Sequence, residues 1–288
     1  MPSPRLVRVL WCFAAVAGAV LLAAAGVLGW RYFWPATAAE GWRLRVHADA
    51  LPSVSALALE PGGGLFVSLE LRHGAGRILR LAPDGSRAEV VRGLSKPDGM
   101  VMLHGGIAYS QEEGVHPVFW RRGETVDTLF SGADIESLAT DGRYLYAVED
   151  RALGARLLRY DPWRGTAAVI RDRLEVAEGV AVCPDGRVYY VEKKKARVSL
   201  LGTEGDDRVV VAHGLNAPGF LMCDARGLWI AEDATQMARL LLLGDDGRLR
   251  TVLSHLRSAQ TIIPAGDGRY LLAEQGRNRI LELTVAAP

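Results

Sequence analysis

The 288-residue sequence lacks several features that would point to particular functions. Its formal net charge is only +1, so no surplus of either sign marks a nucleic-acid or polyanion partner, and we predict none. It has no Gly-Xaa-Ser-Xaa-Gly elbow and no phosphate-cradling glycine loop, so neither a serine hydrolase nor a nucleotide enzyme is indicated. Hydrophobic residues make up 49% and charged residues 23%, a balance that excludes a disordered chain.

The N-terminus holds a long apolar run. Residues 9–30 provide about the 20 apolar residues that a helix needs to cross a bilayer. Arg5 and Arg8 precede this run, which places the N-terminus in the cytoplasm and the remainder in the periplasm or outside the cell. We therefore predict a single-pass membrane anchor over 1–30 and a linker over 31–40. The alternative is a cleaved signal peptide, because Ala36-Thr37-Ala38 has the small-Xaa-small form of a processing site.

A repeat of about 40 residues fills the rest of the chain. Each copy reads as an apolar strand, a turn with Gly, a second strand, a loop and a strand that opens with Arg, and it is clearest over 178–200. The residue at the head of the first strand, here called the head residue, marks each copy: Ala56, Asp98, Glu136, Glu178, Pro218 and Gln260. Successive head residues are 42, 38, 42, 40 and 42 positions apart. Six such copies predict an all-β fold over 41–288, a six-bladed β-propeller of four-stranded blades.

The last copy ends after three strands, at Val285, so another segment must complete it. Residues 42–47 alternate as a strand and belong to no copy. We predict that they pair with the final blade and close the ring, which removes exposed sheet edges.

Cys183 and Cys223 are the cysteines that lie outside the anchor. They occupy the same place in neighbouring repeats, four residues after Gly179 and Gly219. A disulfide needs Cα atoms within about 7 Å, so we expect two separate buried thiols rather than a bridge.

These repeats resemble the SMP-30/gluconolactonase/LRE-like group of six-bladed propellers and the related strictosidine-synthase-like and NHL-repeat propellers. The resemblance covers nearly everything from residue 42 onward, and four segments carry it: Lys96–Met100, Glu178–Val182, Pro184–Gly186 and Arg277–Ile280. It implies a divalent cation, usually Ca²⁺, at the mouth of the channel, often serving hydrolysis of a lactone or ester. Asp98 and Glu178 match the family's ligand motifs, and Glu136 matches less well.

The chain departs from the family pattern at two places. Ala56 stands where hydrolases of the group have a metal-binding Glu, and the Asn ligands are missing from the heads, with Asn216 two residues short of one.

The head residues also break the symmetry of the repeat. Asp98, Glu136 and Glu178 lie in three consecutive copies, and carboxylates that share a narrow axis repel one another unless a cation binds them or some take up protons. Oxygen ligands without His or Cys favour Ca²⁺ or Mg²⁺. We predict that these three converge as metal ligands, with Asp98 also catalytic. The alternative is that they bond to backbone amides or waters that line the channel.

A second set of acidic residues recurs at or near the ends of second strands: Glu70, Glu112, Glu149, Glu192, Glu232 and Glu274. An Arg follows most of them at a fixed interval, namely Arg77, Arg156, Arg197, Arg239 and Arg279. We interpret these as structural hairpin ion pairs, and exposed pairs of this type contribute about 0–1 kcal/mol each. Glu149, Glu192, Glu274, Gln260 and Asn216 are expected around the channel mouth.

Three further residues or runs lie in loops on the presumed ligand face. His73 and His116 are candidates for a general base. Residues 193–195 are three consecutive lysines, either a solvated turn or an anion-binding rim.

Two functions remain open from the sequence. The first is a metal-dependent hydrolase of a lactone or small ester, with a cation held by Asp98, Glu136 and Glu178. The second is a non-catalytic propeller that presents its mouth to a protein, glycan or envelope ligand. In both, the N-terminal helix binds the membrane.

Overall fold

The computed structural model describes residues 3–151, 154–202, 209–266 and 268–286, which form two compact units. The first unit, 1–36, contains helix α1 (Pro4–Phe33). Within α1, the 24 residues Leu10–Phe33 have a mean hydropathy of 2.3 in their most apolar part, of which none is buried. This helix is long and apolar enough to be a single-pass membrane anchor or a signal sequence.

The second unit, 37–288, is a six-bladed β-propeller, as the repeat predicts. Each blade is an antiparallel sheet, and its strands follow one another in order from the axis to the outside. Before blade 1 come β1 (Thr37–Ala38) and β2 (Trp42–Ala48). Blade 1 contains β3 (Val54–Leu59), β4 (Leu65–Leu69), β5 (Gly76–Leu81) and β6 (Arg87–Leu94). Blade 2 contains β7 (Met100–Leu103), β8 (Gly106–Tyr109), β9 (Val115–Arg122) and β10 (Thr125–Ala133).

The later blades follow the same order. Blade 3 contains β11 (Ile135–Thr140), β12 (Leu145–Glu149), β13 (Ala155–Asp161) and β14 (Thr166–Leu174). Blade 4 contains β15 (Ala177–Val182), β16 (Val188–Glu192), β17 (Arg197–Leu200) and β18 (Val209–His213). Blade 5 contains β19 (Pro218–Asp224), β20 (Gly227–Glu232), β21 (Ala238–Leu243) and β22 (Leu249–Leu256). Blade 6 contains β23 (Ala259–Pro264), β24 (Arg269–Glu274) and β25 (Arg279–Val285). Short 3₁₀ helices occupy Lys193–Lys195 and Gln275–Arg277.

The ring closes as predicted, because β2 pairs antiparallel with β25 and becomes the outer strand of blade 6. β1 lies within the segment expected to be a linker. It pairs with β22, with Thr37 opposite Ser254, so blade 5 has five strands. The processing site considered above, 36–38, therefore overlaps a strand.

The cores lie between neighbouring blades. One cluster joins Val191 and Val198 of blade 4 to Ile230 and Leu241 of blade 5, all of them fully or almost fully buried. Side chains of a strand alternate between its two faces, and each face of a blade meets another blade. Alternating apolar residues therefore bury both faces and leave the axis to the inner strands.

The two cysteines form a disulfide, so the expectation of separate thiols is wrong. Cys183 follows β15, Cys223 lies in β19, and their Cα atoms are 4.9 Å apart. The reason is the close approach of the two inner strands near the axis: a Cβ built on Gly179 would lie 2.2 Å from the carbonyl oxygen of Gly219. Equivalent positions of neighbouring blades thereby come within bridging distance.

Candidate functional site

The head residues face one end of the channel, called the mouth, and in five of the six blades a bulge displaces them from the sheet. In five inner strands the register shifts just after the first paired residue, and we take the first residue inside each shift as the head. A bulge leaves its extra residue unpaired and re-aims the side chain. With Asp98 of blade 2, the heads are Ser55, Asp98, Glu136, Glu178, Gly219 and Gln260. The repeat predicted from the sequence is thus shifted by one residue in two blades. The heads there are Ser55 and Gly219, and not the predicted Ala56 and Pro218.

Four of the recurring glutamates hold their blades together and are buried. Glu149, Glu192, Glu232 and Glu274 pair with Arg156, Arg197, Arg239 and Arg279, the partners that the spacing predicts. Each also accepts a backbone N–H from the segment just before its blade, as Glu149 does from Ala133 at 2.8 Å. The interpretation as structural hairpin pairs is confirmed for these four, but their carboxylates are at most 3% exposed, so treating the pairs as exposed is wrong. Their oxygens are committed to the blade.

Blades 1 and 2 depart from this arrangement. In blade 2, Gln111 occupies the position that the buried Glu has in blades 3 to 6, and its side-chain oxygen accepts the N–H of Ser95 at 2.8 Å. Glu112 is therefore displaced by one residue, and it pairs with Lys96 instead of an Arg. In blade 1 the corresponding place is Leu69, which lies opposite Val54. Glu70 follows it and lies 3.1 Å from Lys96 Nζ.

The predicted partner of Glu70, Arg77, contacts Glu89 instead. The one-residue displacement thus releases Glu70 and Glu112 from the blade framework and turns both toward Lys96.

The three carboxylates Asp98, Glu112 and Glu136, called the acidic triad, meet at the mouth. Each offers one oxygen, and these oxygens all lie within 4.8 Å of one another. Asp98 and Glu112 are buried, and Asp98 accepts a hydrogen bond from Ser55. Among the described residues, Oε1 of Glu112 is buried without a hydrogen-bond partner. The triad shares Asp98 and Glu136 with the predicted ligand set, and Glu112 is the member that sequence reasoning assigned elsewhere.

Protonation is favoured throughout the triad. Burial, followed by the charges of Glu70, Glu112 and Glu136, raises the pKa of Asp98 well above its usual value. Burial raises the pKa of Glu112 to about 7 although Lys96 opposes it, and burial with the neighbouring carboxylates raises the pKa of Glu136. Three acids that resist ionisation together are the electrostatic signature of a place that a cation would stabilise.

Glu178, the third predicted ligand, lies in a separate group with Lys193. The Lys193 Nζ atom is 3.0 Å from Glu178 Oε1 and 2.8 Å from Asp233 Oδ2. Gln260 donates from Nε2 to Asp233 Oδ1 at 2.7 Å. Burial would lower the pKa of Lys193, but the charges of Glu178 and Asp233 raise it overall. The first lysine of the 193–195 run thus points into the mouth, whereas Lys194 is exposed.

A cavity of about 500 Å³ opens beside the triad. Glu112, Glu136 and Asp150 line it together with Arg151 and Lys194. Asp150 is partly buried, and burial followed by the charge of Asp134 raises its pKa. Asp150 follows the structural Glu149 directly, which places it one residue nearer the mouth.

The two predicted histidines lie outside the described lining of this cavity. His73 has a side chain that is 86% exposed, and its Nδ1 lies 3.8 Å from Glu113. His116 is partly exposed near the start of β9, opposite Gly132. Asn216 is also exposed, and its backbone N–H bonds to Glu232.

Comparison with known proteins places the fold. No protein-family model matches the sequence, and no curated protein matches it. A gluconolactonase from Xanthomonas campestris superposes with a TM-score of 0.71 at 14% identity, covering 89% of this chain and 100% of that one. A luciferin-regenerating enzyme has a TM-score of 0.70 at 11% identity, covering 85% and 95%.

A third match is more distant in shape. The PQQ-bound aldose sugar dehydrogenase from Streptomyces coelicolor has a TM-score of 0.63 at 20% identity, covering 87% of this chain and 100% of that one. Identities of this size establish a shared fold and leave the chemistry to the site. The structural neighbours of the chain are thus gluconolactonase, luciferin-regenerating enzyme and related six-bladed propellers, the group that its sequence motifs resemble.

Proposed function

We propose that the protein is a divalent-cation-dependent hydrolase of a lactone or small ester, with the cation bound by the acidic triad. The supporting observation is the convergence of Asp98, Glu112 and Glu136, with one buried oxygen of Glu112 lacking a partner among the described residues. A buried carboxylate without a partner is costly, and a cation would supply one. A gluconolactonase among the structural neighbours supports this reaction class.

The dimensions of the triad suit Ca²⁺. Protein oxygens lie about 2.3–2.6 Å from Ca²⁺, so two oxygens on opposite sides of the ion are about 5 Å apart. The three oxygens lie within 4.8 Å of one another, so no pair is farther apart than the span across one Ca²⁺ ion. Mg²⁺ is the alternative, but its distances of about 2.0–2.1 Å require closer oxygens. The ligand set has no His or Cys, which disfavours Zn²⁺.

The bound cation would polarise the substrate carbonyl as a Lewis acid. Asp150 is our candidate for the general base, because it shares the cavity with Glu112 and Glu136 and takes part in none of the described ion pairs of Lys96 and Lys193. A general base works best when its pKa lies near the working pH, and the raised pKa of Asp150 brings it closer to neutral pH. Asp150 would take a proton from water as the water oxygen bonds to the carbonyl carbon. That proton would go to the departing oxygen as the ring or ester C–O bond breaks, and a hydroxy acid or an acid and alcohol would leave.

Lys96 would position Glu112. Its ammonium group contacts both Glu112 and Glu70, which fixes one Glu112 oxygen and leaves the other for the ion. The open cavity admits a small-molecule or envelope ligand at the mouth. His73 and His116, the bases suggested by the sequence, have no comparable position.

We also propose that α1 anchors the protein in a membrane with its N-terminus in the cytoplasm and the propeller in the periplasm or outside the cell. The disulfide between Cys183 and Cys223 supports this location, since such bonds persist in oxidising compartments. Protease treatment of sealed vesicles tests it: the propeller should resist digestion from the cytoplasmic side. Digestion of the propeller from the cytoplasmic side would show that the orientation is the opposite one.

The hydrolase is tested on the full chain reconstituted in lipid nanodiscs. Elemental analysis after Ca²⁺ loading and gel filtration should find one ion per chain, and sugar and aliphatic lactones should be opened in the presence of Ca²⁺ and not in EGTA. Glu112→Gln should lose both the ion and the activity. The control is the next residue, Glu113, which pairs with Arg72 and is not in the acidic triad. Glu113→Gln should keep both the ion and the activity.

The outcomes separate the two functions left open by the sequence. Ca²⁺ binding without hydrolysis of any lactone or ester would favour the non-catalytic binding module. A chain that binds no divalent cation at millimolar concentration, or a Glu112→Gln variant with full activity, would remove the metal-dependent hydrolase.

A further inference from the structure

The end of the channel opposite the mouth contains a second cavity. Its volume is about 380 Å³, and three consecutive residues of five inner strands and four of the sixth line it. Examples are Leu57–Leu59 of β3 and Met100–Met102 of β7, which come after the head residues along their strands. The cavity therefore lies on the axis, enclosed by all six blades.

The chemistry of this cavity is opposite to that of the mouth. Its described lining is mainly Leu, Val, Ile, Met and Ala and contains no ionisable side chain, with Cys223 held in the disulfide. Thr140 and Thr261 supply the hydroxyl groups, and the Thr140 hydroxyl donates to the carbonyl of Tyr144 at 2.7 Å. An ion that entered here would lose hydration without gaining a counter-charge, which is strongly unfavourable.

The walls are nevertheless not purely apolar. Each of the six inner strands is the edge of its sheet, so backbone N–H and C=O groups on the axial side have no strand partner. Such groups need water or a ligand as partner. The lining thus combines apolar side chains with neutral hydrogen-bonding groups. An occupant that satisfies both has an alkyl body and an uncharged polar group.

We infer that this cavity is a binding site for an uncharged amphiphile with a medium-length alkyl chain, separate from the acidic triad. Its volume falls within the range of about 300–1,000 Å³ that is usual for small-molecule sites. An apolar cavity of about 150 Å³ in another protein is enough to bind benzene. Burial of each CH₂ group of the alkyl chain favours binding, so affinity increases with chain length until the cavity is full.

Photolabelling with a diazirine derivative of 1-octanol tests this site on the full chain in nanodiscs. Peptide mapping by mass spectrometry should locate label on the inner-strand segments that line the cavity, and excess 1-octanol should compete for it. Label on α1, from probe dissolved in the lipid, provides an internal reference for probe delivery.

Two substitutions at one lining position separate occupancy from folding. Thr261→Phe fills the cavity and should reduce its labelling at least fivefold relative to α1, whereas Thr261→Val keeps the volume and should retain the label. Ala139→Phe, on another inner strand, repeats the test if Thr261→Phe does not fold. Label confined to α1, or cavity labelling unchanged in a folded Phe variant, would overturn the inference, since no probe bound in the cavity would then account for the label.

Discussion

Lys193 places its ammonium group 3.0 Å from the carboxylate of Glu178, a residue that the sequence predicts as a metal ligand. The same ammonium group lies 2.8 Å from Asp233. A side-chain cation therefore contacts both acids of blades 4 and 5, whereas the acidic triad has Lys96 beside Glu112 alone and one Glu112 oxygen without a partner among the described residues. The mouth is thus divided into a half with its own counter-ion and a half suited to an external one.

Replacing the built-in cation should destabilise the propeller. Lys193→Met leaves Glu178 and Asp233 without their partner, and loss of one member of a largely buried ion pair costs about 3–5 kcal/mol. Thermal unfolding should show a melting temperature lower by roughly 6–20 °C, at about 2–4 °C per kcal/mol. Lys194→Met, at the exposed neighbour, should change it little, and Glu178→Gln should partly rescue Lys193→Met. An unchanged melting temperature in Lys193→Met would contradict this division of the mouth.

The stability of the cation-free protein should fall as pH rises. The pKa of Glu112 is raised from 4.5 to about 7 in the folded protein, and those of Asp98 and Glu136 are raised too. The folded state then holds protons that the unfolded state releases, so their stabilising effect is complete below about pH 4.5 and is lost through about pH 7.

The measurement is the melting temperature against pH in EGTA and in Ca²⁺. The EGTA curve should decline between pH 4.5 and 7, whereas saturating Ca²⁺ should oppose the decline because it binds the ionised carboxylates of the folded state. Stabilisation by Ca²⁺ should therefore grow with pH. Parallel curves would show that no cation binds the triad.

The disulfide should contribute measurably to stability. It closes a loop across a sequence separation of 40 residues, for which a bridge typically contributes about 2–4 kcal/mol by restricting the unfolded chain. The double variant Cys183→Ala/Cys223→Ala should melt lower by several degrees, and dithiothreitol should lower the wild type similarly. Cys12→Ser alters only the free cysteine of α1 and should leave the propeller transition unchanged. Wild-type melting that is insensitive to reduction would argue against the bridge.

Gly179→Ala should disrupt the contact between blades 4 and 5. The added Cβ would lie 2.2 Å from the carbonyl oxygen of Gly219, and a backbone atom cannot rotate away as a side chain can. We expect a loss of about 1–3 kcal/mol or more from overpacking, measured by urea unfolding. Gly62→Ala, where a Cβ meets nothing within 4 Å, is the matched control and should be nearly neutral. Equal stabilities of the two variants would refute the close approach.

Much of the fold could be predicted from local sequence. The period of about 40 residues gave six blades, and the unfinished last copy required 42–47 to close the ring, as β2 does with β25. The spacing between Glu and Arg correctly identified four ion pairs, including that of Glu274 with Arg279. These features follow from strand alternation and fixed hairpin lengths, which depend on short-range geometry.

The details of the site were not accessible in the same way. Bulges at the heads shift the register by one residue, so Ser55 and Gly219 replaced the expected heads Ala56 and Pro218. A one-residue slip changes the face on which a side chain lies. A displacement of one residue likewise places Glu112 beside Asp98 instead of among the buried glutamates that pair with Arg. Gln111, the preceding residue, makes the hydrogen bond of those glutamates and was the sequence signal of this displacement.

The amino-acid sequence by itself determined the apolar helix, the number of blades, the closure of the ring and the presence of carboxylates in three consecutive heads. Only the tertiary structure decided which carboxylates share a space. It joined Glu112 to Asp98 and Glu136, gave Glu178 to Lys193 and bridged Cys183 to Cys223. The physical reason is that pairings across blades depend on ångström-scale convergence around the axis, where bulges and glycine contacts set distances that a repeat period does not encode.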